Sequence, residues 1–358
     1  MNQLLDDIAA GYRLSEQEAV RLLKVRDRSL FQVFTAADQV REDRAGPVVS
    51  YVRNQNIHTT NICKNLCGFC GFGRKVGDEG AYCDDRETFL KKIGLALERR
   101  VTEICLLSGV HPDFTAETYI EMIATLREAA PVIHIHAFSP EEVMHAAARN
   151  GLSSGEVLAS MKRAGLDSLQ GTAAEILVDE VRRVICPRKI DTATWIRVIR
   201  EAHGMGIPTT ATILYGTCER PEDRIRHLGI LREIQDDTGG FTELVPLSYV
   251  YQSTPLFRSG LAGPGATGRE DLLMIAVSRL FLDNFRNIQV SWGKLGVKLS
   301  QVALLAGGND LAGTMFSDDV SGDAGASSAD FLDPVFMERI CGDIGRPLRQ
   351  RLTDYTLV

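Results

Sequence analysis

The chain has 358 residues, of which 44% are hydrophobic and 24% charged, with a formal net charge of −7. This is the composition of an ordinary globular protein able to bury a large core, and the acidic balance excludes a polyanion-binding surface as its main business, so no nucleic-acid partner is expected. The sequence has no run of about 18 apolar residues, and MNQLLDDIAAGYRLSEQ lacks a signal-peptide pattern, so a cytoplasmic protein without a membrane segment is expected.

In chain order, SEQEAVRLLKVRDRSLFQVFTAADQV carries apolar residues at helical spacing and predicts a helical extension over residues 1–47. The segment VVSYVRNQNIHTTN then alternates as a strand and delivers a cysteine cluster just past its end. Beyond it, TEICLLSG, PVIHIHAFS, LDSLQGTA, IPTTATILYG, FTELVPLSYV and NIQVSW read as strands. Between them RETFLKKIGLALERR, TAETYIEMIATLREAA, SGEVLASMKRAG, TATWIRVIREAHGMG, PEDRIRHLGILREIQDDTGG and REDLLMIAVSRLFLDNF read as amphipathic helices. Repeated βα units mean a parallel sheet. About seven or eight units predict an α/β fold, a parallel (β/α) TIM-type barrel, complete or nearly so, over residues 48–300, with a doubly wound open sheet as the runner-up. Residues 301–358 predict a C-terminal extension packed on the barrel. In it GGNDLAGTMFSDDVSGDAGASSADF reads as a loop over the barrel mouth, while DPVFMERICGDIG and RPLRQR read as packing and surface. Asn309 and Asp310 are candidates for substrate contact, or else for a turn or helix cap.

The cluster is Cys63, Cys67 and Cys70, in HTTNICKNLCGFCGFGR. Thiolates favour zinc or iron–sulfur clusters, and three of them leave one coordination position to be filled from elsewhere. A structural zinc site would take a nearby residue such as His58. A [4Fe–4S] cubane would leave one iron open for a small molecule, and Gly68, Gly71 and Gly73, which let the backbone wrap a bulky group, favour it. Three buried structural thiols are the bland alternative. The remaining cysteines, Cys83, Cys105, Cys186, Cys218 and Cys341, are scattered singly and suit a reducing compartment. In a parallel barrel the site lies at the carboxyl ends of the strands. The polar residues there are Ser108 and Gly109, His134, His136 and Ser139, Gln170 through Glu175, Thr209, Thr210 and Thr212, and Ser291. Ordinary β-branched packing for the threonines and a hydrogen-bonded core role for the histidines compete with function.

The spacing CxxxCxxC, with Phe69 directly before the last cysteine, resembles the signature of radical S-adenosylmethionine (SAM) enzymes. IHIHAFSPEE, GTAAEILVDEVR, AHGMGIPTTATILYG, TGGFTELVPL and NIQVSWGKLGVKLSQVALLAGGNDLAGT together resemble the CofH-type branch of deazaflavin biosynthesis, whose siblings include aminofutalosine synthase and a dehypoxanthine futalosine cyclase. The resemblance implies a [4Fe–4S] cluster held by Cys63, Cys67 and Cys70, and SAM cleaved to a 5'-deoxyadenosyl radical. It also implies transfer of the 4-hydroxybenzyl group of L-tyrosine to a ribitylaminouracil. By the same resemblance Phe69 flanks the adenine, and Ser108, Gly109, Glu175 and Thr212 belong to the cofactor site. Apart from the resemblance, His134 or His136 is a candidate for contact with tyrosine or its carboxylate, and Cys218 and Cys83 are candidates for donating a hydrogen atom or ligating iron, or else are small buried hydrophobes. A reductant such as flavodoxin or ferredoxin and a partner radical SAM synthase are the implied partners. A sibling enzyme with another acceptor and a zinc-stapled, non-catalytic scaffold are the alternatives. Three strand ends depart from the family pattern: Thr217-Cys218 stand where a histidine follows YG, Gln170 stands where PGTAAE has proline, and Ser108 precedes Gly109 in place of paired glycines.

Overall fold

The computed structural model describes residues 2–316, 319–326 and 331–358. Eight strands are present among them: β1 Val49–Val52, β2 Asn54–His58, β3 Glu103–Leu107, β4 His134–Ala137, β5 Thr209–Tyr215, β6 Phe241–Ser248, β7 Asp310–Gly313 and β8 Leu348–Arg351. All paired strands are parallel, in three sheets of order β7-β1-β8, β2-β3-β4 and β5-β6.

Helices connect the strands because the sequence starts and stops them at the right places. Thr115, Ser139, Ser153 and Thr267 each cap a helix with a reciprocal capping box, and Asp85 and Asp191 cap two more through their carboxylates. The helices pack over the strands and on one another, so Ile104, Leu106, Ile135, Ala137 and the apolar residues of β5 lie in one continuous core, and the whole of β5 is buried. The N-terminal helices join that core. Arg269 Nε reaches the Val25 carbonyl at 2.8 Å, and Arg232 Nη1 reaches that of Leu14 at 2.9 Å.

The α/β class and the parallel sheets agree with the sequence, whereas a closed barrel is not formed as a continuous ladder among the described residues. LDSLQGTA and NIQVSW, expected as strands, are reduced to isolated parallel bridges: His136–Ser168 and Leu169–Thr209, then Leu244–Ile288 and Gln289–Asp310. The causes are local. After Leu169 the chain turns away through left-handed Ala173 and Glu175, and near Ile288 the Asn309 side chain takes the backbone N–H at 2.9 Å.

Two C-terminal expectations are corrected. GGNDLAGT contains β7, and RPLRQR supplies β8, which lies beside β1 and ends in a fully buried Arg351. Asp310 does not face a ligand. Its carboxylate takes Ser50 Oγ and Arg351 Nε, both at 2.6 Å, and Asn309 Oδ1 takes Arg279 Nη2 at 2.7 Å. Of the expected mouth loop, residues 317–318 and 327–330 lie outside the described residues. Among the described residues no helix is long and apolar enough to cross a membrane.

Candidate active site

A cavity of about 250 Å³ opens at the carboxyl ends of the strands. Cys63, Cys67 and Cys70 all line it, in a loop that leaves β2 at His58. Gly109, following β3, seats that loop: its N–H donates to the Thr60 carbonyl at 2.8 Å. A Cβ there would lie 2.9 Å from the Ile62 carbonyl carbon and closer still to its oxygen. Only a glycine allows that approach.

Phe69, Ser108, Gly109, Gln170 and Glu175 line the same cavity, as the strand-end rule expects. Glu175 is held in the left-handed region at φ 47° and receives Lys189 Nζ at 2.5 Å. Burial works against the Lys189 charge, but Glu175, followed by Cys67 and Cys186, outweighs it and holds the ammonium well above its ordinary range. The same ammonium lies 5.4 Å from the centre of the Phe69 ring. Glu141 faces the cavity too, with its carboxylate taking Asn65 Nδ2 at 2.7 Å and the Ile190 N–H at 2.9 Å. Leu66, Phe72, Leu107, Val110, Leu214 and Leu247 make the walls apolar.

The other expected residues stand elsewhere. His134 pairs in register with Glu103, the first residue of β3, so it lies a full layer below the cavity. His134 Nε2 and His136 Nδ1 both meet Ser168 Oγ at 2.7 Å. Burial pushes the His136 pKa down to about 4, so the ring is neutral at pH 7. Gln170 closes the floor between these rings and the cavity, with Nε2 donating to the Leu106 carbonyl at 3.0 Å. Thr212 gives its hydroxyl to the Gly171 carbonyl at 2.8 Å and stays beneath Leu214. Cys218 is exposed in a shallow groove beside Val181 and Arg220. Its turn is held by the buried Glu219 carboxylate, which takes the N–H groups of Gly216 at 2.6 Å and Thr217 at 2.9 Å.

Sequence reasoning missed Lys189, Glu141, Asn65 and Lys294. Glu141 sits two residues past the strand-end Ser139 and was within reach of the strand-end rule. Lys189 carries no periodic signal, because it lies in the turn after the short helix Asp179–Ile185.

The donor set fits an iron–sulfur cluster better than a single ion. Among the described residues no three His, Cys, Asp or Glu side chains stand close enough to hold one metal ion, and His58 Nδ1 is turned to Asp319 Oδ2 at 3.2 Å. Burial pushes the Cys70 thiol up, opposed by backbone hydrogen bonds from Gly73 and Phe72. Such N–H groups are the partners that cluster thiolates use.

The parallel α/β fold thus places three thiols and a charged rim at one strand-end cavity. The Radical SAM superfamily matches residues 57–230, and the CofH/MqnC C-terminal region matches residues 238–345. Among curated proteins, the chain is 57% identical over 358 residues to the 5-amino-6-(D-ribitylamino)uracil--L-tyrosine 4-hydroxyphenyl transferase of Methanoculleus marisnigri, covering 100% of this chain and 98% of that one. It is 57% identical to the protein of the same name from Methanosphaerula palustris, covering 99% and 97%, and 41% identical to that of Methanocaldococcus jannaschii, covering 96% and 97%. The chain belongs to the CofH family of the radical SAM superfamily. It is therefore an enzyme, a transferase whose cofactors are a [4Fe–4S] cluster and SAM. Two solved structures share the fold: methylornithine synthase, at TM-score 0.75 and 19% identity over 96% of this chain and 97% of that one, and the hydrogenase maturase HydG from Carboxydothermus hydrogenoformans, at TM-score 0.76 and 16% identity over 98% and 79%.

Proposed function

We propose that this enzyme transfers the 4-hydroxybenzyl group of L-tyrosine to 5-amino-6-(D-ribitylamino)uracil. The observation that carries the reading is the full-length 57% identity to transferases of that name, in a chain whose three cysteines and Glu175–Lys189 pair share one cavity. Cys63, Cys67 and Cys70 hold the cluster. When bound, the cluster and SAM supply a one-electron cleavage that yields a 5'-deoxyadenosyl radical.

The chain's own residues do the rest. Phe69 and the Lys189 ammonium present a flat apolar face beside a charge, which suits an adenine next to a carboxylate. Glu175 keeps Lys189 charged, and Glu141 offers a second fixed carboxylate for an ammonium group. The apolar walls exclude water, so a radical meets only the substrate held against it. Ser108, Gly109 and Gln170 shape the floor. The strand order, joined by the four isolated bridges, supports a (β/α) barrel, complete or nearly so, that includes β7, with residues 1–47 and the segment beyond β7 as extensions. A cytoplasmic setting, a flavodoxin- or ferredoxin-type reductant and a partner radical SAM synthase complete the proposal.

Anaerobic protein with its cluster restored, given reductant, SAM, ring-labelled tyrosine and the ribitylaminouracil, is expected to yield an adduct carrying the label. An adduct without tyrosine-derived carbon would remove this reading.

A further inference from the structure

A second chamber, of about 280 Å³, adjoins the main cavity. The two share Ser248, Tyr249, Val250 and Lys294, so the end of β6 and the loop after it form a common wall. The chemistry changes across that wall. The main cavity is walled mostly by apolar side chains, whereas the second chamber is lined in part by the buried Asp271 carboxylate. Asp271 lies in the first turn of the helix Gly268–Phe281 and is 6% exposed. Tyr215 Oη donates to its Oδ1 at 2.8 Å, which fixes the carboxylate's orientation. Lys294, in the short helix Trp292–Leu295, contacts Ser321 Oγ and borders both spaces.

The turn that departs from the family pattern stands behind this second chamber and not in the first. Gly216 has φ 91°, and a Cβ on it would lie 2.7 Å from the Ala266 nitrogen, on a residue that lines the second chamber. Tyr215 and Gly216 thus brace the chamber's wall, while the Thr217 hydroxyl donates to Glu219 at 2.7 Å and Cys218 is exposed.

A buried carboxylate only accepts hydrogen bonds, and an ammonium only donates them. A ligand that meets both groups presents N–H and C=O groups side by side, the pattern of a cyclic ureide such as a uracil ring. We infer that this chamber is the acceptor subsite, where Asp271 takes a ring N–H, Lys294 donates to a ring carbonyl, and the reacting carbon faces the main cavity beside Ser248. This assignment rests on the proposed function for its uracil-type acceptor.

Asp271→Asn keeps the side chain's size and an oxygen for Tyr215 but replaces one acceptor with an N–H donor. In the cluster-loaded enzyme the KM for 5-amino-6-(D-ribitylamino)uracil is expected to rise at least about tenfold. The tyrosine KM, and the 5'-deoxyadenosine formed with tyrosine in the absence of acceptor, should stay within about twofold. Anaerobic calorimetry with the ribitylaminouracil alone should show its Kd weakened by the same factor. Gln252→Leu, on the exposed rim of the same chamber, guards against an Asp271 variant that fails to fold; its acceptor KM should rise about threefold. Unchanged acceptor KM and Kd in the folded variants, or a tyrosine KM that moves instead, overturns the assignment. If wild-type protein binds the uracil in an Asp271-dependent way yet forms no tyrosine adduct, the functional reading fails and the chamber stands; labelled adduct with no dependence on Asp271 gives the reverse.

Discussion

At the scale of single residues, the site depends on backbone approaches that only glycine permits. The cysteine loop rests on Gly109, and at Gly71 a Cβ would lie 2.5 Å from the Asp323 carbonyl oxygen. Gly109→Ala therefore has to displace backbone, since no flexible side chain can give way. The expected cost is about 1–3 kcal/mol of stability, with iron bound after reconstitution falling to less than about half of wild type because Cys63 is carried by the displaced segment. Chemical denaturation and iron per chain measure the two effects; unchanged iron content would show that the loop can hold the cysteines without this seat. These three cysteines were legible in the sequence because their spacing is a local property. His134 and His136 were legible only in part. Alternation reveals which face of a strand a residue occupies but not its depth along the strand, and the register with Glu103 and Cys105 sets them below the floor made by Gln170.

At the scale of elements, β8 was hidden because LRQR has neither the alternation nor the apolar content of a strand. Its place is set by charge pairing that no local pattern encodes. Arg351 carries a buried ion pair with Asp310 at 2.6 Å and a second with Glu243 at 3.3 Å. Thr353 reaches Glu103 Oε2 at 2.6 Å, and Tyr355 donates to Glu243. The C-terminal strand thus stoppers the amino ends of the strands, opposite the cysteine cavity. Arg351→Met strands two buried carboxylates and is expected to lower stability by about 3–5 kcal/mol. The fraction that folds should still bind a full complement of iron, because the network and the cysteines sit at opposite strand ends. Loss of iron in proportion beyond the loss of folded protein would contradict that separation. The expected strand at NIQVSW failed for a related reason: the Asn309 side chain competes for the Ile288 backbone, a contact made only once the two segments meet.

At the scale of the whole molecule, buried titratable groups set opposing pH dependences. Burial pushes His136 and His203 down to about 4 and His227 to about 3, from an ordinary 6.5. Between those values and 6.5 the unfolded chain binds protons that the folded chain refuses. Stability therefore climbs as pH rises through that window, by up to about 1.4 kcal/mol per pH unit for each ring. Glu243 acts in the other direction. Burial, opposed by Arg351, raises its carboxyl from 4.5 to about 7, so the unfolded chain releases that proton first and stability falls as pH rises from about 4.5 to 7. Three rings outweigh one carboxyl in the overlap, so the denaturation midpoint of the wild-type protein should rise from pH 4.5 to about 6.5 and level off above about 7. Glu243→Gln keeps acceptors for Arg351 and Tyr355 but cannot ionise. Its midpoint should climb more steeply than that of the wild type throughout the range from about 4.5 to 7. Parallel pH curves for the variant and the wild type would mean that Glu243 titrates as an ordinary carboxylate and that Arg351 fully offsets its burial.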